Sequence, residues 1–249
     1  SSTTECLIWG LAGGILGLVR YYKQTSSISA LEKIYHLTDI IIERSELHSI
    51  THPPDKNRKV IIGMAHGLCG IALALHSVYQ LTNSKKANDA VVQIESILAR
   101  SWSPTYKEWP KVYGGDFLAT NFVSRWCHGS IGISSFLNKR NHNLDDKSLL
   151  KCAEISLSKQ DNNGISFICC GDFGFVDLLI NSSFLNLDAL KKAQILVAKQ
   201  ISMAQKKGSY SYEAHGDQEN ITLFRGCSGV GYEMLRTLHP NLPSISIME

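Results

Sequence analysis

The side chains in this sequence that could do chemistry are cysteines, and three of them stand beside paired glycines. Cys169 and Cys170 are adjacent and come directly before Gly171, while Cys127 lies two residues before Gly129. Three thiolates at one point suit a tetrahedral Zn²⁺ ion whose fourth position stays open to a substrate. The alternative is that each thiol is a small apolar side chain in the core, where isolated cysteines usually lie. Two adjacent cysteines fit that alternative poorly.

Composition and the other cysteines narrow the class of protein. The seven cysteines are odd in number and we expect no secretory signal, so we predict reduced thiols and a cytoplasmic location. We expect Cys69, Cys152 and Cys227 to be buried apolar side chains. The apolar run 6–19 is too short to span a bilayer. A net charge of +3, spread evenly, does not indicate nucleic-acid binding.

Glycines recur in a G-x-x-G pattern that predicts a repeated structural unit. Random placement of the glycines would give about one or two such pairs. The separate pairs in this sequence begin at Gly10, Gly67, Gly129, Gly171 and Gly226. Each pair leads into an apolar helical run, and glycine at a helix start lets another backbone approach closely. The unequal spacing of the pairs leaves room for insertions between units.

Longer amphipathic stretches separate the glycine pairs and predict a second set of helices, over 29–47, 83–100, 144–160 and 186–207. Ser29 and Glu32 form a capping box for the first of these, and Gly208 should end the last. No stretch alternates as a strand does, so we predict an all-α fold of helical hairpins, each with a glycine-started inner helix and a longer outer one.

Two stretches are predicted loops. One contains Pro53 and Pro54, and the other, 101–115, is rich in aromatic residues. Its aromatic side chains either line a substrate groove or pack on the core; they are Trp102, Tyr106, Trp109 and Tyr113.

Histidines near the glycine pairs are candidates for acid–base chemistry. His66 stands directly before Gly67, at a helix start equivalent to those of the cysteines, and is a candidate acid or base. His128 follows Cys127 and is either a metal ligand or a neighbour that supports one. His215 belongs to a predicted loop and is a weaker candidate.

The segments "GMAHGLCGIALAL", "RWCHGSIGI", "CCGDFG" and "TLFRGCSGVGYEMLRTLHPNLPSI" together resemble LanC-type cyclases. More narrowly, they resemble the carboxy-terminal cyclase domain of class II lanthipeptide synthetases, so we treat 1–249 as one such domain. The resemblance implies an α/α toroid of seven hairpins around a central zinc. With about five glycine motifs, we expect an incomplete toroid and a fragment of a longer synthetase.

The resemblance also implies an activity and its residues. The substrate would be a precursor peptide already dehydrated by a dehydratase region, supplied in cis or in trans. A peptide cysteine would add to dehydroalanine or dehydrobutyrine and close a thioether ring. Zinc held by Cys127, Cys169 and Cys170 would activate that cysteine. His66 matches the family histidine thought to return a proton to the product.

Two positions depart from the usual family pattern. Cys170 replaces a histidine, which resembles a subgroup that acts on many precursor peptides; a third thiolate should leave the bound substrate thiolate more nucleophilic. Cys6 stands where the family has an aspartate that assists the histidine, and Glu5 beside it is the candidate substitute. Arg125 could stabilise the enolate oxygen, or it could simply be solvated at the surface.

Two other classes of function compete with a cyclase. A non-catalytic toroid could bind peptide thiols or glutathione-like thiols without closing a ring, and the replacement at Cys6 favours it. An α/α-barrel glycosidase would need paired carboxylates at the barrel mouth, where this sequence places cysteine and histidine.

Overall fold

The computed structural model describes residues 5–45, 47, 50, 59–114, 122–143, 148–158, 164–182, 188–211 and 220–248. The helices in these ranges are α1 (Leu11–Thr25), α2 (Ile28–Ser45), α3 (Leu68–Thr82), α4 (Lys85–Ser101), α5 (Ser130–Arg140), α6 (Ser148–Leu157), α7 (Asp172–Asn181), α8 (Ala189–Lys207) and α9 (Cys227–Leu238). A 3₁₀ turn, Asn141–Asn143, follows α5. Strands β1 (Val60–Ile61) and β2 (Val112–Tyr113) form an antiparallel ladder.

The helices are arranged as inner and outer layers. Helices α1, α3, α5, α7 and α9 pack against one another in chain order, and α2, α4, α6 and α8 each pack on the inner helix before them. Within the described residues this gives four hairpins and a fifth inner helix. The all-α hairpin architecture predicted from the glycine pairs is therefore confirmed.

Sequence composition explains which helices lie inside. Helix α3 is apolar on nearly every side, and each of its residues from Leu68 to His76 is buried. Helix α2 instead buries one stripe, which includes Ile34 and Ile41, and exposes charged residues on its other face. An amphipathic helix covers a core on one side, whereas a helix that is apolar all round must be surrounded.

Each glycine pair begins an inner helix, and the second glycine of the pair allows a close approach. A Cβ placed on Gly132 would lie 2.0 Å from the carbonyl oxygen of Trp126, and one on Gly70 would lie 2.2 Å from that of Met64. The loop before each of these helices therefore folds back onto the first helical turn. Gly129 also has a φ of +89°, which a side chain would strain.

The helix boundaries differ from prediction where local caps decide them. Helix α2 begins at Ile28, and the hydroxyl oxygen of Ser27 accepts a 3.4 Å hydrogen bond from the backbone N–H of Ala30. The capping box predicted at Ser29 is therefore wrong by two residues. Gly208 ends α8 in the left-handed conformation, as predicted. The β1–β2 ladder was not predicted, because two residues per strand show no alternation.

The aromatic loop packs largely on the core. Trp109 and Tyr113 are buried, and the indole N–H of Trp109 donates a 2.8 Å hydrogen bond to the carbonyl oxygen of Leu98. Tyr106 is exposed and stacks on Phe122 at 4.1 Å between ring centroids. The core alternative therefore holds for Trp109 and Tyr113. The predicted loop at Pro53 and Pro54, like the first residues of the predicted helix 144–160, lies outside the described residues.

The C-terminal segment is fastened to the inner helices by buried polar groups. The indole N–H of Trp126 donates to the carbonyl oxygen of Ser246 at 2.9 Å. The Asp177 carboxylate accepts bonds from the Ser244 hydroxyl at 2.8 Å and from the Ser246 backbone at 3.2 Å. Arg236 pairs with both Asp177 and Glu233. Since Trp126 directly precedes Cys127, this segment supports the loop that carries a thiol.

Candidate metal centre

The loops that precede the inner helices, which we call the mouth, are joined by a chain of backbone hydrogen bonds. The backbone N–H of Ile8 donates to the carbonyl oxygen of Ala65 at 3.3 Å, and the N–H of Ala65 donates to the carbonyl oxygen of Cys127 at 3.2 Å. The N–H of Cys127 donates to the carbonyl oxygen of Cys169 at 3.1 Å, and the N–H of Cys169 donates to that of Phe224 at 3.0 Å. Each of these residues lies two positions before the first glycine of its motif. Equivalent positions of successive repeats therefore lie side by side.

This arrangement brings three thiols together. The Sγ atom of Cys170 lies 3.3 Å from that of Cys127 and 3.5 Å from that of Cys169, and all three lie within 4.8 Å of one another. A disulfide would need about 2.05 Å. Sulfurs bound to one tetrahedral Zn²⁺ at about 2.3 Å lie about 3.8 Å apart. The separations of the three thiols therefore differ from those of a shared zinc site by about 1 Å at most.

The thiols differ in their affinity for protons. Hydrogen bonds with Cys127 and then with Cys169 lower the pKa of Cys170 to about 3, and the Arg125 charge also lowers it. The hydrogen bond with Cys127 is the main cause that raises the pKa of Cys169. Cys170 is thus the thiol that loses its proton most readily, and every thiol proton must leave when a metal binds. Metal affinity should therefore rise with pH.

Arg125 is tied to the thiol loops. Its guanidinium Nη1 donates to the backbone carbonyl of Cys170, and its own backbone N–H donates to the oxygen of His128 at 2.9 Å. The side chain is half-buried. It places a positive charge beside the cluster, while its role at an enolate oxygen stays a prediction.

Aromatic rings continue along the mouth on one side of the thiols. His128 directly follows Cys127, and its ring centroid lies 6.2 Å from that of His66, which in turn lies 5.4 Å from the nearer ring of Trp9. Burial, followed by the charge of Lys111, lowers the pKa of His128, and its buried Nδ1 has no hydrogen-bond partner among the residues that the structure describes. Its surroundings therefore favour the neutral form of His128.

A cavity of about 400 Å³ opens beside His66. Its lining includes Glu5, Cys6, Arg44 and Trp9. The Glu5 carboxylate lies 4.0 Å from the Arg44 guanidinium, and the Sγ of Cys6 accepts a 3.5 Å bond from the backbone N–H of Trp9. Glu5 thus shares a cavity with His66, and its role as the partner of that histidine stays a prediction.

The remaining cysteines occupy different environments. Cys69 is fully buried, as predicted, and burial raises the pKa of its thiol. Cys152 is half-buried and packs on the core. Cys227 is exposed, so its predicted burial is wrong. It lies in the first turn of α9, which has no inner helix after it in the described part of the chain. His215 lies outside the described residues.

Two residues of this region were not singled out by sequence reasoning. Trp9 stands directly before Gly10, the same register as His66 before Gly67, and this shared register is the sequence signal that could have identified it. Glu108 is buried, and its carboxylate accepts hydrogen bonds from the hydroxyls of Ser124 and Ser130. No pattern in the sequence connects Glu108 with these serines.

Fold and site together define a helical, hairpin-built protein with a cluster of three thiols at its mouth. The model of the lanthionine synthetase C-like protein family matches residues 7–249, and the chain belongs to this family. No curated protein sequence matches significantly. Within the described ranges, no helix has both the length and the apolarity needed to cross a membrane.

Among solved structures, the chain is similar to nisin cyclase, with a TM-score of 0.71 and 15% sequence identity. The match covers 98% of this chain and 66% of nisin cyclase. It establishes the fold as the LanC-like helical toroid. The chain spans just under two thirds of the length of that relative.

Proposed function

We propose that this chain is a zinc-dependent lanthionine cyclase domain, which adds cysteine thiols of a dehydrated precursor peptide to dehydroalanine or dehydrobutyrine. The observation that carries the proposal is the convergence of Cys127, Cys169 and Cys170 at the mouth of a lanthionine synthetase C-like fold. Three thiols leave one tetrahedral position for a substrate sulfur. The dehydrated peptide would come from a dehydratase region, in cis or in trans.

The donor set determines what a metal would contribute. A bound Zn²⁺ ion lowers the pKa of a peptide thiol, so that the thiolate, which is the nucleophile, exists at neutral pH. Cys170, as a third thiolate in place of histidine, adds a negative charge to the centre. The positive charge of Arg125 beside Cys170 partly balances it. We expect the added charge to leave a substrate thiolate more nucleophilic and to broaden the range of peptides accepted.

His66 completes the reaction as the proton donor. The substrate thiol first loses its proton to solvent; its sulfur then forms a bond to the β-carbon of the alkene, and the π-electron pair moves to give an enolate. His66 then delivers a proton to the α-carbon and regains one from solvent, so the addition involves no net oxidation or reduction. Glu5, in the same cavity, would orient His66, and Arg125 would stabilise the enolate oxygen.

Cyclisation leaves the mass of the peptide unchanged, so the test must count free thiols. A synthetic peptide with one cysteine and one dehydroalanine is incubated with zinc-loaded protein and then alkylated. Mass spectrometry should show an unalkylated product, formed faster than in buffer alone. His66→Ala should keep the metal and slow the reaction by about 10²–10⁴-fold. Cys227→Ala, which removes an exposed thiol that is not one of the three, serves as the matched control.

A second candidate is a non-catalytic toroid that binds peptide thiols. The observation in its favour is Cys6, which stands in the lining of the cavity beside His66 where the family has an aspartate. In that case the zinc-loaded protein would bind the peptide, and alkylation would still modify every peptide molecule. This outcome would refute the cyclase and support the binder.

A further inference from the structure

We propose that Trp9 binds the substrate residues next to the dehydro amino acid and so sets which peptides are cyclised. This inference rests on the proposed function, since it assigns a role in the same reaction. Trp9 is 81% exposed, whereas Trp109 and Trp126 are fully buried and Trp102 is half-buried. An indole of this size left in water at the mouth gains apolar contact when a ligand covers it.

The position of Trp9 follows from the repeat. It stands directly before Gly10, and the residues in the same register of the next repeats are His66, His128 and Cys170. The backbone bond from Ile8 to Ala65 sets its loop beside that of His66, as the bond from Ala65 to Cys127 sets the next pair. The order along the mouth is therefore thiol cluster, His128, His66 and Trp9.

This order fixes which part of a substrate reaches Trp9. The reacting sulfur lies at the thiols, and the alkene must lie between that sulfur and His66. The ring centroid of Trp9 lies 5.4 Å from that of His66. An extended peptide spans about 3.3–3.6 Å per residue. Trp9 therefore meets a residue one or two positions from the dehydro amino acid.

The cavity beside Trp9 favours an apolar neighbour. Its lining includes two exposed apolar side chains, Trp9 and Ile61, as well as the Glu5 and Arg44 pair. A leucine or an aromatic residue beside the dehydro amino acid would cover the indole and exclude water from the reacting atoms. A glycine in that place would leave the indole exposed.

The first experiment measures contact directly, without turnover. The protein is mixed with a peptide that carries cysteine and has alanine in place of dehydroalanine, flanked by leucines. This peptide cannot cyclise. Trp9 is the most exposed of the four tryptophans, so acrylamide should quench chiefly its fluorescence. The peptide should protect that fluorescence in the wild-type protein, and the protectable signal should be missing in Trp9→Phe.

The second experiment measures selectivity. Dehydroalanine peptides flanked by leucines or by glycines are compared in kcat/KM. We expect the wild type to prefer the leucine-flanked peptide about tenfold in kcat/KM, through a lower KM. This preference corresponds to about 1.4 kcal/mol. Trp9→Ala should remove most of the preference, and Trp9→Phe should restore part of it. Leu238→Ala, which removes an apolar side chain of similar exposure (72%), is the matched control and should keep the preference.

The two proposals fail in different ways. Cyclisation by the wild type without protection of Trp9, and with an unchanged preference in Trp9→Ala, would overturn the role of Trp9 and leave the cyclase in place. Protection without cyclisation would overturn the cyclase and support the peptide contact. Neither protection nor cyclisation would overturn both.

Discussion

Replacing Glu233 with glutamine should flatten the dependence of protein stability on pH. Glu233 is fully buried beside Arg236, which also pairs with Asp177. One guanidinium balances one carboxylate, so the second acid is held neutral. Burial, followed by the negative charge of Asp177, raises the pKa of Glu233 from 4.5 to about 9.

The sign follows from where the proton is held. Because the pKa of Glu233 is raised in the folded protein, the folded state keeps a proton that the unfolded chain releases above about pH 4.5. Its contribution to stability is fully present below that pH and is lost progressively as pH rises towards 9. One linked proton changes the free energy of unfolding by about 1.4 kcal/mol per pH unit.

Urea unfolding at about pH 6 and pH 8 measures this linkage. The wild type should lose about 3 kcal/mol more than Glu233→Gln between these two values. Glu32→Gln removes an exposed carboxylate of α2 and should behave as the wild type does. Parallel curves for the wild type and Glu233→Gln would mean that Glu233 is ionised at neutral pH, and would refute the charge balance derived for Arg236.

Further changes test the glycine repeat and the donor set. Gly132→Ala would force a Cβ against the Trp126 carbonyl, and should lower the free energy of unfolding by about 3 kcal/mol. Gly231→Ala, on the open side of α9, should instead raise it slightly; equal effects in thermal unfolding would contradict the packing account. Cys170→His should keep a metal but narrow or slow cyclisation; an unchanged product range, measured by thiol alkylation, would argue against a role for the third thiolate.

The sequence predicts the inner helices well because a backbone constraint repeats in it. At Gly132 and Gly70 a side chain would collide with a carbonyl oxygen six residues earlier, so glycine is required at these positions. The G-x-x-G spacing can therefore be recognised in the sequence. Cys127 and Cys169 share a register within that repeat, and the same backbone bonds place them side by side. Repetition therefore links residues that are far apart in the chain.

Features that depend on a single contact were not predictable in this way. Ser27 caps α2 although Ser29 has the expected capping pattern, because only the folded loop decides which hydroxyl reaches a free N–H. Cys227, like Cys69, lies inside its glycine motif, yet it is exposed, in the last of the described inner helices. Trp9 has the register of His66 in its motif, but only the fold shows that its ring lies beside His66.

The central claim is that Cys127, Cys169 and Cys170 hold zinc, and the zinc content of the purified protein tests it most directly. The folded, reduced chain should contain about one zinc ion. The double variant Cys169→Ala, Cys170→Ala should contain none, and Cys227→Ala should match the wild type. A folded and reduced wild-type protein that takes up no zinc would contradict the account.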